Sequence, residues 1–186
     1  MVLHYLLESY QSLANRIYSY SDPRVDGYLL MYSWWPSLLI CLGYVAAIPI
    51  GKRLMKNREP YNIRAIMVSY NVAMVFLSIY MVIEFFYCLY SLNVGLGCAP
   101  INHDVNPLTV RLVNVGWLFY MSKYVEMVDT FFFILRKKNN LLSFLHIFHH
   151  ASQPASLYFG IKFVPGGFGA VYPLINSTVH VFMYIY

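Results

Sequence analysis

Residues 141–154 read LLSFLHIFHHASQP, and three imidazoles in so apolar a stretch decide what kind of chain this is. An ionisable side chain is expensive in lipid, so inside a membrane segment it marks a functional site by default. A fourth histidine, His180, lies in the equally apolar run YPLINSTVHVFMYIY at 172–186. On a helix, positions i, i+3 and i+4 share a face. His146, His149 and His150 therefore point the same way, and Gln153 extends their stripe. A lone intramembrane histidine is often a hydrogen-bonded packing residue; three on one face point to a site.

The rest of the composition agrees. Of 186 residues, 59% are hydrophobic, 18% aromatic and 11% charged, whereas a soluble domain carries about 25% charged residues. The net charge of +5 does not point to nucleic acid, because the basic residues flank apolar runs instead of lining a soluble face. Cys41 and Cys88 fall inside apolar runs and read as packing residues. Cys98 lies in the Gly-rich loop SLNVGLGCAPIN (91–102) and could pair with a thiol outside this sequence.

The expected fold is all-α, a polytopic membrane helical bundle forming one membrane domain over residues 1–186. Apolar runs long enough to cross a bilayer fall at about 34–51, 63–90, 112–135, 141–159 and 168–186. Residues 1–33 are Tyr-rich, lack the compact apolar core of a secretory signal, and read as a lumenal or interfacial segment. Trp34 and Trp35 then sit in the aromatic belt. Lys52, Arg53, Lys56 and Arg58 lie between the first two spans, and Arg136, Lys137 and Lys138 between the third and fourth. Two intervening spans put both clusters on one side, which the positive-inside rule makes the cytosol. The VPGGFG turn (164–169) and Cys98 face the other compartment. Tyr186 falls inside an apolar run, so further spans are expected to follow in a longer protein.

Two more polar stripes stand out. Asn176, His180 and Tyr184 recur at i, i+4 and i+8, either as glue between helices or as a second wall of the site. In SKYVEMVDTFFFILRKK (122–138), Lys123, Glu126 and Thr130 share a face with Asp129 adjacent, and Lys123 and Glu126 can neutralise each other at i, i+3. They either form a structural ion pair or line a polar cavity. Arg136, Lys137 and Lys138 set topology or hold a phosphate-rich ligand, since Arg and Lys favour anions.

Imidazoles in an apolar tunnel suit two chemistries. One is metal ligation by neutral imidazole, as in a histidine-metal membrane oxidoreductase such as a desaturase or hydroxylase. One cluster and one distant histidine are thin for two irons, though enough for one metal. The other is nucleophilic catalysis, in which an imidazole accepts an acyl group and remains reactive, neighbours move protons or hold an oxyanion, and a dry cavity protects the acyl group. A channel or transporter is a third reading. Its signature, a discontinuous helix at mid-membrane, finds no glycine break between 141 and 153.

H-I-F-H-H at 146–150, K-x-x-E-x-x-D-T at 123–130, L-R-K-K at 135–138 and N-S-x-x-H-x-x-M-Y at 176–184 resemble the very-long-chain fatty acid elongases of the endoplasmic reticulum. D-P-R at 22–24, R-x-P at 58–60, Arg64 and Tyr70-Asn71 are similar too. The resemblance covers nearly the whole chain, in order. It implies a 3-ketoacyl-CoA synthase in the ER membrane with seven spans, of which spans two to seven enclose an acyl tunnel. It implies that acyl-CoA donates its acyl group to His149 and that malonyl-CoA, the co-substrate, supplies two carbons. No further cofactor and no metal are implied. His180 would act on the same atoms, His146, His150 and Asn176 would stabilise charge, and Lys123, Arg136 and Lys137 would contact CoA phosphates or malonyl. Glu126, Asp129, Gln153 and Tyr184 complete the expected substrate-binding set. Membrane lipid and the other enzymes of the elongation cycle are the implied partners; nucleic acid is not. Members that take polyunsaturated chains tend to carry Gln where this chain has Leu141, which implies saturated or monounsaturated substrates, a preference that a panel of acyl-CoAs reads directly.

Overall fold

Ser143 begins the decisive helix: its side chain accepts the backbone N–H of His146 at 3.1 Å, a standard N-cap arrangement. The computed structural model describes residues 2–94 and 103–186, so Cys98 lies outside the described residues. Among the described residues seven α-helices run α1 Val2–Tyr18, α2 Trp34–Leu54, α3 Arg64–Ser91, α4 Pro107–Glu126, α5 Val128–Leu135, α6 Phe144–Phe163 and α7 Val171–Ile185, with 3-10 turns between α1 and α2, α5 and α6, and α6 and α7. Among the described residues there is no strand.

Helices α2 and α3 are long and apolar enough to cross a membrane, with mean hydropathies of 1.5 and 2.2. Only 22% and 39% of their apolar windows are buried, and large side chains such as Phe76 and Phe86 on α3 stand exposed. A core helix of a soluble protein hides such residues; these faces fit lipid. At about 1.5 Å per residue, α3 spans roughly 42 Å, more than a bilayer core, as a tilted span does. Helices α4 with α5, α6 and α7 coincide in position with the other three expected spans. Their inner faces carry lysine, carboxylates and histidines, which lowers their apolarity.

Several boundaries differ from the sequence expectation by a few residues, and those of the third and fourth segments have local causes. The third segment starts at Pro107, not 112, because Asn106 accepts the N–H groups of Leu108 and Thr109, and Thr109 reciprocates on the Asn106 N–H. That closed capping box, with Pro at the first helical position, fixes the start. The same segment is interrupted at Met127, whose N–H turns back to the Val125 carbonyl. The fourth begins at Phe144, not 141, since residues 139–141 form a 3-10 turn. Residues 2–18, expected as part of a lumenal or interfacial segment, form α1. Its apolar residues at 6, 10, 13 and 17 recur at helical spacing.

Helix α4 sits between α3 and α6. Helix α7 lies along α3, and α2 lies along α6 and α5. The core falls into three apolar clusters. Phe85, Cys88 and Phe119 pack α3 on α4. Cys41, Tyr44 and Ile48 pack α2 on α5. Val25, Tyr120 and Tyr158 seal the N-terminal segment against α4 and α6. Cys41 and Cys88 are free thiols buried in these clusters, in keeping with a packing role. At the opposite end from the histidines, Asp22 donates its N–H to the Lys162 carbonyl (2.9 Å) and its carboxylate accepts from Arg24 (2.6 Å) and lies 3.3 Å from His103 Nδ1. Lys162 pairs with Asp26 at 2.6 Å.

Asp22 is outside the spanning helices and 2% exposed. Burial pushes its carboxyl up, but the hydrogen bonds and charge of Arg24, with His103, outweigh that and hold it below the usual carboxylate range. A depressed carboxylate contributes stability above its unfolded pKa, near 3.9, and loses it as pH falls through the folded value. Asp22→Asn is therefore expected to lower stability at pH 7 by about 1–3 kcal/mol, and the gap from wild type should close below about pH 4. Thermal unfolding across pH checks this; a gap unchanged by acid would contradict it.

Candidate active site

Three helices bring the polar stripes to one place. From α4, Lys123 Nζ donates to Glu126 Oε1 at 2.7 Å, and the two are 2% and 1% exposed. From α7, Asn176 Oδ1 accepts a second bond from Lys123 Nζ at 2.7 Å, and His180 Nδ1 lies 3.2 Å from Glu126 Oε1. Ser122 Oγ also donates to that same oxygen, at 3.3 Å. The ammonium also lies 4.3 Å from the centre of the Phe119 ring, a favourable cation–π position. A buried charge persists only when so paired. The other carboxylate oxygen, Oε2, is buried and has no hydrogen-bond partner among the described residues, nor has Ser177 Oγ.

On α6, the His146 and His150 rings lie 4.5 Å apart, and His149 meets His150 edge-on at 5.3 Å. His146 is fixed from outside: its Nε2 is hydrogen-bonded to Thr130 Oγ1 at 2.8 Å, and Thr130 in turn to the Tyr44 hydroxyl at 2.7 Å. The break at Met127 separates Glu126 on α4 from Asp129 and Thr130 on α5. Asp129 accepts from the Tyr184 hydroxyl at 2.7 Å, while Thr130 meets α6. Gln153 accepts from Tyr172 of α7 at 2.8 Å. His149 lies within electrostatic range of Lys123, Glu126 and His180, and His150 of Glu126 and Lys123. Among the described residues no hydrogen bond reaches a ring nitrogen of His149 or His150.

The expected site residues thus divide. Lys123, Glu126, Asn176 and His180 form one polar network, the rings of His146, His149 and His150 pack against one another beside it, and Asp129 with Tyr184 forms a flank. Arg136 and Lys137 are not part of the cluster. Helical rise places them roughly 20 Å along the axis from Lys123, where Arg136 Nη1 lies 3.4 Å from Met67 Sδ and Lys137 Nζ donates to the Lys56 carbonyl at 3.1 Å. Leu141 sits in the 3-10 turn ahead of α6, 46% exposed. Sequence reading missed Tyr44, Ser122 and Tyr172. A tyrosine within the apolar run of α2 was the available signal for Tyr44; nothing in the spacing singles out the other two. Among the described residues no three His, Cys, Asp or Glu side chains converge as a metal-holding set.

Comparison with known proteins places the chain in a family. Residues 29–186 match the family described as ELO: GNS1/SUR4. The chain belongs to the ELO family. Within it, the chain is similar to very long chain fatty acid elongase 1 of Homo sapiens, 41% identical over 97% of this chain and 65% of that protein. It is similar to very long chain fatty acid elongase 7 of Rattus norvegicus, 41% identical over 89% of this chain and 59% of the other. Very long chain fatty acid elongase 4 of Homo sapiens is 39% identical over 91% of this chain and 54% of its own length. The chain therefore spans roughly half to two thirds of the ELO relatives it matches.

Proposed function

We propose that this ELO chain carries the catalytic centre of a 3-oxoacyl-CoA synthase of the endoplasmic reticulum membrane, which joins a long-chain acyl-CoA to malonyl-CoA. The observation that carries the reading is the unbonded His149 beside a His180 whose Nδ1 is engaged by a buried, charge-balanced carboxylate. A nucleophile needs a free lone pair, and a general base needs an orienting partner on its other nitrogen.

The reaction runs in two halves. A His149 nitrogen attacks the thioester carbonyl; the carbon–sulfur bond breaks and CoA leaves with the imidazole proton. Malonyl-CoA then loses CO2, and the electron pair left on its α-carbon attacks the acyl-imidazole. The carbon–nitrogen bond breaks, His149 regains a proton, and a 3-ketoacyl-CoA two carbons longer leaves. His180 presents its Nε2 to the developing enolate. His146, held by Thr130, and His150 offer N–H groups to the oxyanion, with Asn176 alongside. Lys123 balances Glu126 and attracts the malonyl carboxylate. Asp129, Tyr184 and Gln153 border the acyl path. Arg136, on the side of the basic clusters, meets CoA phosphates; Lys137, turned onto Lys56, is given no role in the reaction. The chemistry uses no resident cofactor or metal.

All five helical segments from α2 to α7 cross the membrane in this reading, with both basic clusters cytosolic. Leu141 goes with saturated or monounsaturated chains. The other enzymes of the elongation cycle are partners, because the ketone must be reduced before another round.

Intact-mass measurement tests the covalent step. The full-length protein is incubated with acyl-CoA alone, without malonyl-CoA. One acyl mass is expected on wild type and none on His149→Ala. Active wild-type protein that never gains the acyl mass would rule out the relay.

A further inference from the structure

A second feature lies at the end of the bundle where the two basic clusters meet, and it is independent of the reaction assigned to the histidines. Lys52, Arg53 and Lys56 at the end of α2 face Lys137 and Asn139 of the turn after α5, around a cleft of about 470 Å³. Among the described residues none of these four cations has an ionic partner. Topology alone asks only that the charges be on one side. It does not ask that they converge. Lys137 holds a left-handed backbone, φ 54°, and its Nζ is drawn to the Lys56 carbonyl. A non-glycine residue in that region is uncommon and costs energy, and the cost here brings a cation from a separate element onto the cup.

An apolar cleft of about 460 Å³ shares the wall of this cup. Met55 and Ile134 line both. Its own lining is Gly51, Leu54, Phe131 and Leu135, with Arg58 and Tyr61 at its rim. Leu54 is largely exposed. A Cβ on Gly51 would stand 3.3 Å from Ile134, so glycine lets α2 and α5 touch directly at the foot of the groove.

A basic cup joined to an apolar slot on a helix that meets lipid has one chemical complement. We propose that the two clefts seat an anionic glycerophospholipid, its phosphorylated headgroup among Lys52, Arg53, Lys56 and Lys137 and an acyl chain between Leu54 and Phe131. Cytosolic basic clusters beside membrane helices attract such lipids, and ammonium and guanidinium groups make their strongest hydrogen bonds to phosphate oxygens. A lipid here would bridge α2 to α5, two elements otherwise packed through Ile48, Met127 and Ile134.

The test uses full-length protein released from nanodiscs into native mass spectrometry. Phosphatidylinositol 4-phosphate and phosphatidylcholine of identical chains are the probes, with soluble glycerophosphoinositol 4-phosphate as competitor. The phosphoinositide is expected to be retained at least tenfold better than phosphatidylcholine, and the soluble headgroup to bind at least tenfold more weakly than the lipid. Lys56→Gln/Lys137→Gln should erase the preference, while Lys138→Gln, an exposed lysine outside the cup, should keep it. The melting temperature of each unliganded variant identifies one that has merely lost its fold; for that case Lys52→Gln/Arg53→Gln gives the same readout from the α2 side. Equal retention of both lipids, equal binding of the soluble headgroup, or equal loss in Lys138→Gln would overturn the assignment.

Discussion

His180→Ala is expected to stop product formation while leaving His149 able to take up an acyl group. His180 is 6% exposed, and its Nδ1 lies 3.2 Å from Glu126 Oε1. In this reading the contact sets the tautomer: with the proton on Nδ1, facing the carboxylate, the lone pair lies on Nε2. The carboxylate thus orients the imidazole, as the aspartate of a Ser-His-Asp triad does for its histidine. Proton transfer by a positioned side chain contributes about 10²–10⁴-fold to a rate, so turnover should fall by roughly 10³-fold. Acyl transfer to His149 uses a different imidazole, whose own proton leaves with the CoA thiolate, and should survive. The measurement pairs intact mass after acyl-CoA alone with release of labelled CO2 from malonyl-CoA. Near-normal turnover would remove His180 from the reaction. Loss of both halves together would mean that it serves acyl transfer as well.

The parts of the site that were legible in the sequence are those encoded by spacing within one helix. His146, His149 and His150 at i, i+3 and i+4, Lys123 with Glu126 at i, i+3, and Asn176, His180 and Tyr184 at i, i+4 and i+8 each announce a shared face, because helical geometry converts register directly into direction. The capping signal N-P-L-T at 106–109 is legible too, although Asn106 and Pro107 lie outside the apolar run that hydropathy marks. What no single-helix register encodes is which faces meet. Asn176 reaches Lys123, His180 reaches Glu126 and Tyr44 reaches Thr130 only through packing of distant segments. Tyr44 is the instructive case. The resemblance places the first span outside the tunnel, yet its hydroxyl steadies Thr130 and through it His146. The offset at Met127 was likewise invisible, because V-E-M-V-D-T-F contains neither Pro nor Gly to mark it. It is this offset that lets neighbouring carboxylates Glu126 and Asp129 serve different partners, His180 and Tyr184.

Removing the charge of Glu126 should cost more stability than any other single change in the site, and the reason also separates structure from chemistry. Lys123 and Glu126 are almost wholly buried, and breaking such a pair from one side leaves an uncompensated charge, at about 3–5 kcal/mol. Glu126→Leu should therefore lower the unfolding free energy by about that amount and abolish turnover. Lys123→Met/Glu126→Leu removes both charges, and replacing a buried pair by apolar residues of similar volume is often neutral or stabilising. The double variant should thus recover most of the lost stability. It should not recover activity, because His180 still lacks the carboxylate that holds its Nδ1 proton, and Asn176 has lost its donor. Thermal unfolding in one detergent for wild type, both singles and the double closes the cycle, and the condensation assay runs on the same four samples. A double variant that melts like wild type and still turns over would show the pair to be structural only. One that remains as unstable as Glu126→Leu would show that the carboxylate's chief partner is not Lys123 but His180.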